Sequence, residues 1–134
     1  MPKCSLSYLS IYDDLLLLSK KMMSILSTLF GHNTIHNKVK VLNKNDFKIA
    51  IVQSPVQLID VRTPIEYKAG HLKGAHNLNF FDQASFNKGL RPFQKNKAVY
   101  VYCQSGNRSK SAAQILARLG FEEIYDLQGG YLNW

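Results

Sequence analysis

The chain has 134 residues, of which 46% are hydrophobic and 19% are charged, and its formal net charge is +8. This length supports one domain around one hydrophobic core, and the apolar content excludes an intrinsically disordered chain. The positive excess is divided evenly between residues 1–53 and 54–134, and no basic patch is interleaved with aromatic residues, which argues against nucleic-acid binding. A diffuse positive field would instead draw small anions toward a cationic pocket.

The cysteines and histidines indicate the cellular compartment of the protein and limit the cofactors that it could bind. The two cysteines, Cys4 and Cys103, do not form the closely spaced set of a secreted disulfide protein, so we expect a reducing, cytoplasmic environment. The four histidines lack cysteine or carboxylate partners at metal-ligand spacing. We therefore expect no metal and no other cofactor.

The N-terminal segment contains two apolar runs, at residues 15–18 and 22–30, which two lysines separate. Neither run approaches the roughly 20 apolar residues of a spanning helix, so no transmembrane segment is expected. Two aspartates precede the leucines, where a secretory signal would carry basic residues. The segment is either an amphipathic helix that covers part of the domain, or an upstream extension before a start at Met22 or Met23.

After this segment, apolar strand patterns alternate with helical ones. Asn43 and Thr63 are expected N-caps, and Thr63 forms a capping box with Glu66. The alternation predicts an α/β fold, a mainly parallel central sheet with helices on both faces. The predicted elements are a strand over 38–42, a helix over 44–53, a strand over 56–60, a helix over 64–69, a strand over 75–78, a helix over 82–88, a strand over 98–102, a helix over 109–119 and a strand over 123–127.

The most informative segment surrounds Cys103, which ends a buried strand and precedes a helix. Backbone N–H groups and the helix dipole concentrate positive potential there, and this environment favours the thiolate, which is the nucleophilic form. Open α/β folds bind ligands at this carboxyl edge of the sheet. The alternative is a buried structural cysteine. The Gly, Ser, Asn and Arg residues that follow favour the reactive role.

Four motifs carry a resemblance to a known family. Residues 103–109, Cys-Gln-Ser-Gly-Asn-Arg-Ser, resemble the Cys-x-x-Gly-x-Arg-Ser active-site loop of rhodanese-type sulfurtransferases. Residues 58–67 are similar to the family's Asp-Val-Arg-x-x-x-Glu-Tyr segment, residues 70–78 to its Gly-His-Ile-x-Gly-Ala-x-Asn-Ile segment, and residues 127–134 to its closing Gly-Gly-x-x-x-Trp. The resemblance implies a single rhodanese-like domain over 38–134, preceded by an extension over 1–37. Residues before Met22 match nothing in the resemblance, which favours the later start.

The resemblance implies a sulfurtransferase in which Cys103 takes a sulfane sulfur from thiosulfate or a similar donor and becomes a persulfide. A thiophilic acceptor, either a thiol or cyanide, then removes that sulfur. A thioredoxin-like protein is one acceptor that this chemistry permits. The residues expected to bind the substrate are Gln104, Ser105, Gly106, Asn107, Arg108 and Ser109.

The charged residues around the loop have expected roles as well. Arg108 would direct its positive charge and its guanidinium N–H groups toward a sulfur donor that is an oxyanion. Lys110 would add to the positive electrostatic field. The alternative for Arg108 is an ion pair with Asp126 or Glu122.

Asp60 and Arg62 are interpreted as supporting residues. Arg62 is expected to pair with Glu66, four residues further on, and Asp60 to accept backbone N–H groups near the active loop. His71 and His76 are interpreted as turn or scaffold residues.

Two rival functions remain open at this point. Cysteine phosphatases and arsenate reductases, some of which share this fold, need Cys-x5-Arg, whereas the position of that arginine here is Ser109. The second rival is a rhodanese-like module without turnover that binds partners, carries sulfur or senses redox state. Turnover with a small donor and acceptor separates this module from an enzyme.

Overall fold

The computed structural model describes residues 5–29, 35 and 37–134, so that Cys4 lies outside the described residues. The chain divides into two compact units, residues 1–34 and residues 35–134. In the first unit, Ser5–Leu29 forms helix α1, and its described side chains, those of residues 11–26, are exposed. Within the described part of the chain, no helix is both long and apolar enough to cross a membrane.

The second unit is built on a five-stranded sheet. Its strands are β1 (Val39–Leu42), β2 (Gln57–Asp60), β3 (His76–Asn77), β4 (Val99–Tyr102) and β5 (Ile124–Leu127). The strand order is β1-β5-β4-β2-β3, so β4 lies at the centre between β5 and β2. All neighbouring strands are parallel, as the alternation of strands and helices predicted.

Four helices connect the five strands, and one short 3-10 turn follows the last strand. Asn43 and Thr63 cap the first two helices as expected, and Thr63 completes its capping box with Glu66. The largest difference from the sequence prediction is at the fourth helix, which begins two residues earlier because Gly106 adopts a left-handed conformation (φ 101°) and serves as its N-cap. The helices are α2 (Lys44–Gln53), α3 (Pro64–Ala69), α4 (Gln83–Gly89) and α5 (Asn107–Arg118), and the 3-10 turn is Tyr131–Asn133.

Helices cover both faces of the sheet, which confirms the predicted α/β architecture with a parallel central sheet. On one face, α5 packs Ala112, Ala113 and Leu116 against β4 and β5, all fully buried. On the other face, Phe47 of α2 is fully buried and meets Tyr100 edge-to-face with ring centroids 5.5 Å apart. Truncation of a core side chain such as Leu116 to alanine would cost about 2–5 kcal/mol of folding free energy.

The parallel arrangement brings the segments that follow β2, β4 and β5 to one edge of the sheet. Asp60, Tyr102 and Leu127 are the last residues of these strands. The loop that begins at Cys103 is therefore flanked by the β2–α3 connection and by the C-terminal turn.

Candidate active site

Cys103 directly follows the central strand, and its side chain is completely buried, with 0% exposure. The backbone N–H of Gly106 donates to the Cys103 Sγ at 3.0 Å. The left-handed conformation of Gly106 turns the chain from the loop into α5. A donor at this position stabilises negative charge on the sulfur.

The first turn of α5 closes the other side of the loop. Ser109 is completely buried and donates from its Oγ to the Gly106 carbonyl oxygen at 3.2 Å. The backbone N–H groups at the start of a helix have no partners within the helix, and they add positive potential beside the sulfur. Ser105 and Asn107 are exposed, whereas Gln104 and Arg108 are partly buried. The structure thus brings the predicted substrate-binding residues together, with Ser109 bonded inside the loop.

Arg62 forms a buried ion pair with Asp60, and not with Glu66 as the spacing of four residues predicted. The Arg62 Nη2 lies 2.7 Å from Asp60 Oδ2, and both side chains are nearly inaccessible. The expected pair is wrong because Arg62 precedes the Thr63 N-cap and is therefore not in phase with Glu66 on the helix. Asp60 also accepts the backbone N–H of Arg62 at 3.0 Å and the Tyr102 hydroxyl at 2.7 Å.

This buried cluster holds the loop in place. Arg62 Nη1 donates to the Gln104 Oε1 at 2.9 Å, and Nη2 donates to the Gly70 carbonyl oxygen at 2.6 Å. The Arg62 guanidinium also lies over the Tyr131 ring, 4.2 Å from its centroid. Burial raises the pKa of the Tyr102 hydroxyl, so it remains protonated and able to donate to Asp60. Gln104 is therefore fixed through its side chain to the scaffold.

Arg108 forms a two-pronged ion pair with Glu66. The Nη1 and Nη2 atoms each lie 2.8 Å from one Glu66 carboxylate oxygen. Glu66 also accepts the backbone N–H and the hydroxyl of Thr63, both at 2.9 Å. The hydrogen bond from Arg108, opposed by partial burial, lowers the pKa of Glu66 to about 2.

The alternative reading of Arg108 as an ion-paired residue is confirmed, but the two partners suggested for it, Asp126 and Glu122, are wrong. Asp126 is buried on β5, and Glu122 is exposed before β5, at the opposite end of that strand from the loop. A role for Arg108 in binding the donor stays a prediction, now with its charge offset by Glu66. The sequence feature that could have indicated the Arg108–Glu66 pair is the capping box, because it directs the Glu66 carboxylate toward the carboxyl edge of the sheet.

The C-terminal turn is hydrogen-bonded to the backbone of the active loop. The backbone N–H of Tyr131 donates to the Cys103 carbonyl oxygen at 2.7 Å, and that of Leu132 donates to the Gln104 carbonyl oxygen at 3.0 Å. Gly130 has a φ of 64°, and a Cβ there would lie 2.6 Å from both carbonyl oxygens. Only glycine therefore fits at this contact, and this gives a structural role to Gly130 in the closing Gly-Gly motif.

Asp126 is a buried acid beside the first turn of α5. Its Oδ1 has no hydrogen-bond partner among the described residues, and its side chain lies almost completely inside the protein. Burial raises the pKa of Asp126 to about 6, and the Ser109 hydroxyl and the Lys110 charge only partly oppose the shift.

The two histidines after α3 contact scaffold groups. His71 Nδ1 lies 2.8 Å from the Tyr67 carbonyl oxygen, and the His71 ring stacks on the Tyr67 ring. His76 meets Phe93 edge-to-face. Among the described residues, no group of three or more His, Cys, Asp or Glu side chains is arranged to hold a metal ion.

Comparisons with known proteins agree with this geometry. The chain is 38% identical over 96 residues to the uncharacterized protein YqhL of Bacillus subtilis, an alignment that covers 72% of each protein. A rhodanese-like domain protein from Staphylococcus aureus superposes with a TM-score of 0.63 at 28% identity, covering 71% of this chain and 90% of that one. The human single-domain sulfurtransferase TSTD1 has the same fold, with a TM-score of 0.59 at 23% identity over 70% of this chain and 93% of its own. Residues 38–134 match the rhodanese-like domain as a family, and the chain belongs to that family.

Proposed function

We propose that this protein is a sulfurtransferase that moves a sulfane sulfur from thiosulfate or a similar donor to a thiophilic acceptor through a persulfide on Cys103. The observation that carries the proposal is the 3.0 Å contact from the Gly106 N–H to the Cys103 Sγ, at the start of a helix and at the carboxyl edge of a parallel sheet. These are the donors that a thiolate and an anionic persulfide both need. We assign the activity to residues 38–134, with 1–37 as an extension.

The reaction proceeds in two displacement steps that need no cofactor. The Cys103 thiolate attacks the outer sulfur of thiosulfate, the S–S bond of the donor breaks, and sulfite leaves with the bonding electron pair. The product is the Cys103 persulfide anion. An acceptor thiolate or cyanide then attacks the outer sulfur of the persulfide, and Cys103 leaves as the thiolate. Such a thiol requires a reducing compartment, and we place the protein in the cytoplasm for this reason.

The loop geometry favours sulfur chemistry over phosphoryl or arsenate chemistry. The position at which a Cys-x5-Arg loop would place its arginine is held by Ser109, whose hydroxyl is bonded to the Gly106 carbonyl oxygen inside the turn. Arg108 is paired with Glu66. The loop therefore offers one N–H at the sulfur instead of an arginine-lined cradle for a tetrahedral anion.

The direct test is the intact mass of the protein after incubation with thiosulfate and, separately, with inorganic polysulfide. We expect the addition of one sulfur atom that Cys103→Ser eliminates and Cys4→Ser retains, followed by its loss on addition of cyanide with formation of thiocyanate. The absence of any adduct with both donors would overturn the proposal and favour a partner-binding or redox-sensing module. A stable adduct that no acceptor removes would indicate a sulfur carrier.

A further inference from the structure

One buried acid beside the active loop has no part in the two displacement steps. Asp126 on β5 is only 4% exposed, and its Oδ1 has no hydrogen-bond partner among the described residues. The side chain lies against the Ser109 hydroxyl, which is itself completely buried in the first turn of α5. A buried polar oxygen without a partner costs folding free energy, so its presence calls for an explanation.

Ser109 helps to fix the conformation of Gly106, whose backbone N–H donates to the Cys103 Sγ at 3.0 Å. The Gly106 carbonyl oxygen accepts the Ser109 hydroxyl and the backbone N–H of Lys110, both at 3.2 Å. Gly106 is therefore held by hydrogen bonds at its carbonyl oxygen while its N–H faces the sulfur. A change at this carbonyl oxygen would alter the position of the donor at the sulfur.

The Ser109 hydroxyl has a single proton, and two acceptors lie beside it. In the structure this proton is donated to the Gly106 carbonyl oxygen. An ionised Asp126 can only accept a hydrogen bond, so it would compete for that proton. A protonated Asp126 can instead donate to the Ser109 oxygen and leave the bond to Gly106 in place. Burial raises the pKa of Asp126 to about 6, so the change between the two forms falls near that pH.

The groups that face Asp126 from the neighbouring elements include one cation and the reactive cysteine. From α5, the positive charge of Lys110 favours the ionised form, against the larger effect of burial. Within the sheet, the register places Val41 of β1 and Val101 of β4 beside Asp126. Cys103, two residues beyond Val101, packs in the same cluster as Val101. A direct effect of the Asp126 charge on the sulfur is therefore the rival explanation that a test has to separate.

We infer that Asp126 is a positioning residue for Cys103: in its protonated form it holds the Ser109 hydroxyl on the Gly106 carbonyl oxygen and so keeps the Gly106 N–H at the sulfur. Loss of this proton makes Cys103 less reactive. The inference rests on the proposed function, because the same N–H stabilises both the attacking thiolate and the persulfide anion. The two displacement steps transfer no proton to or from Asp126, which stays protonated throughout.

The test measures the rate at which iodoacetamide alkylates Cys103 between about pH 4.5 and pH 8, since alkylation reports the reactivity of the thiolate. The parent protein is the full chain with Cys4→Ser, which leaves one thiol, and intact mass follows the product. The test variant adds Asp126→Asn, whose amide is uncharged at every pH and can donate to the Ser109 oxygen. The matched control adds Glu122→Gln, which removes an exposed carboxylate before the same strand.

We expect the parent and Asp126→Asn to react at equal rates below about pH 5, where Asp126 is protonated in the parent. Above about pH 7 the variant should react about three- to tenfold faster, which is the factor that one hydrogen bond contributes. Glu122→Gln should keep the pH profile of the parent. A ratio of rates that does not change with pH, or an equal change in the control, would overturn the inference.

Removal of the Ser109 hydroxyl separates action through Ser109 from a direct effect of charge. In a Ser109→Ala background, Asp126→Asn should change the alkylation rate above about pH 7 by less than about twofold. A change as large as in the presence of the hydroxyl would overturn the inference, because Asp126 would then act on the sulfur by charge alone.

Hydrogen exchange of the Gly106 amide gives a reading that does not depend on the folding of Ser109→Ala. Above about pH 7 this N–H should exchange more slowly in Asp126→Asn than in the parent, relative to the Val101 amide in β4, because it stays bonded to the sulfur. Equal relative exchange would contradict the inference. Alkylation and exchange need no sulfur donor, so failure to form a persulfide would refute the proposed function while these two measurements still decide the role of Asp126.

Discussion

The buried Asp126 makes the stability of the domain depend on pH in an unusual direction, and replacing it by asparagine tests this directly. In the folded protein, burial raises the pKa of Asp126 from 3.8 to about 6. One pKa unit corresponds to about 1.4 kcal/mol, so keeping this carboxylate ionised inside the fold costs about 3 kcal/mol. The cost follows from the side chain's near-complete burial and its unpartnered Oδ1.

The sign of the effect follows from proton binding. Between about pH 4 and pH 6 the folded state holds a proton on Asp126 that the unfolded state has already released, so the free energy of unfolding falls as the pH rises. Glu66 acts in the opposite direction and in another range. Its folded pKa is lowered from 4.5 to about 2, so its contribution is complete above about pH 4.5 and is lost as the pH falls below that value.

The measurement is urea unfolding of the full chain and of the Asp126→Asn variant at a series of pH values. The difference in unfolding free energy should be constant below about pH 4, grow by about 3 kcal/mol in favour of the variant up to about pH 6.5, and then level off. With an m-value of roughly 1.5 kcal/mol per molar, the midpoint difference at neutral pH exceeds that at pH 4 by about 2 M urea.

The matched control is Glu122→Gln, which removes an exposed carboxylate from the segment before the same strand. Its difference from the unmodified protein should not grow over this range. If the unfolding free energies of Asp126→Asn and of the unmodified protein change in parallel with pH, the account of Asp126 as a buried carboxylate with a raised pKa is refuted.

Further predictions concern substitutions at other contacts of the site, a truncation of the chain and a phosphatase assay. Gly130→Ala should destabilise the domain by about 3 kcal/mol or more and reduce persulfide formation, because its Cβ would meet the carbonyl oxygens of Cys103 and Gln104; thermal unfolding and intact mass measure the two effects. Asp60→Asn should cost about 3–5 kcal/mol in urea unfolding, since it leaves the Arg62 charge buried and unpaired. Removal of residues 1–34 should leave sulfur transfer to cyanide unchanged, and an inactive truncated protein would assign that segment to the functional domain. The unmodified protein should hydrolyse no aryl phosphate, and robust hydrolysis would contradict the account of the loop.

The elements of the sheet and its helices were largely predictable because their signals are local. Thr63, Pro64 and Glu66 specify a helix start by capping chemistry alone, and the structure shows this helix at the expected residues. The start of α5 was misplaced because a left-handed glycine can act as an N-cap without a side chain. Gly106 in a short loop is free to adopt a positive φ, but the sequence does not indicate that this conformation (φ 101°) makes it the N-cap of α5.

The pairing of charges around the site was not predictable, because it depends on which strands lie side by side. Arg108 and Glu66 are 42 residues apart, and only the adjacency of β2 and β4 brings α3 next to the loop. Spacing along the chain suggested Arg62 as the partner of Glu66. The fold instead directs Arg62 inward to Asp60, since both lie at the buried end of β2.

These two ion pairs determine what the loop offers to a substrate. An arginine beside a cysteine in the sequence suggests a cation available for an oxyanion, but a guanidinium held by both carboxylate oxygens of Glu66 has little charge left to offer. In the proposed reaction, the Gly106 N–H and the first turn of α5 would instead stabilise negative charge on the sulfur, because both act at short range at the sulfur itself.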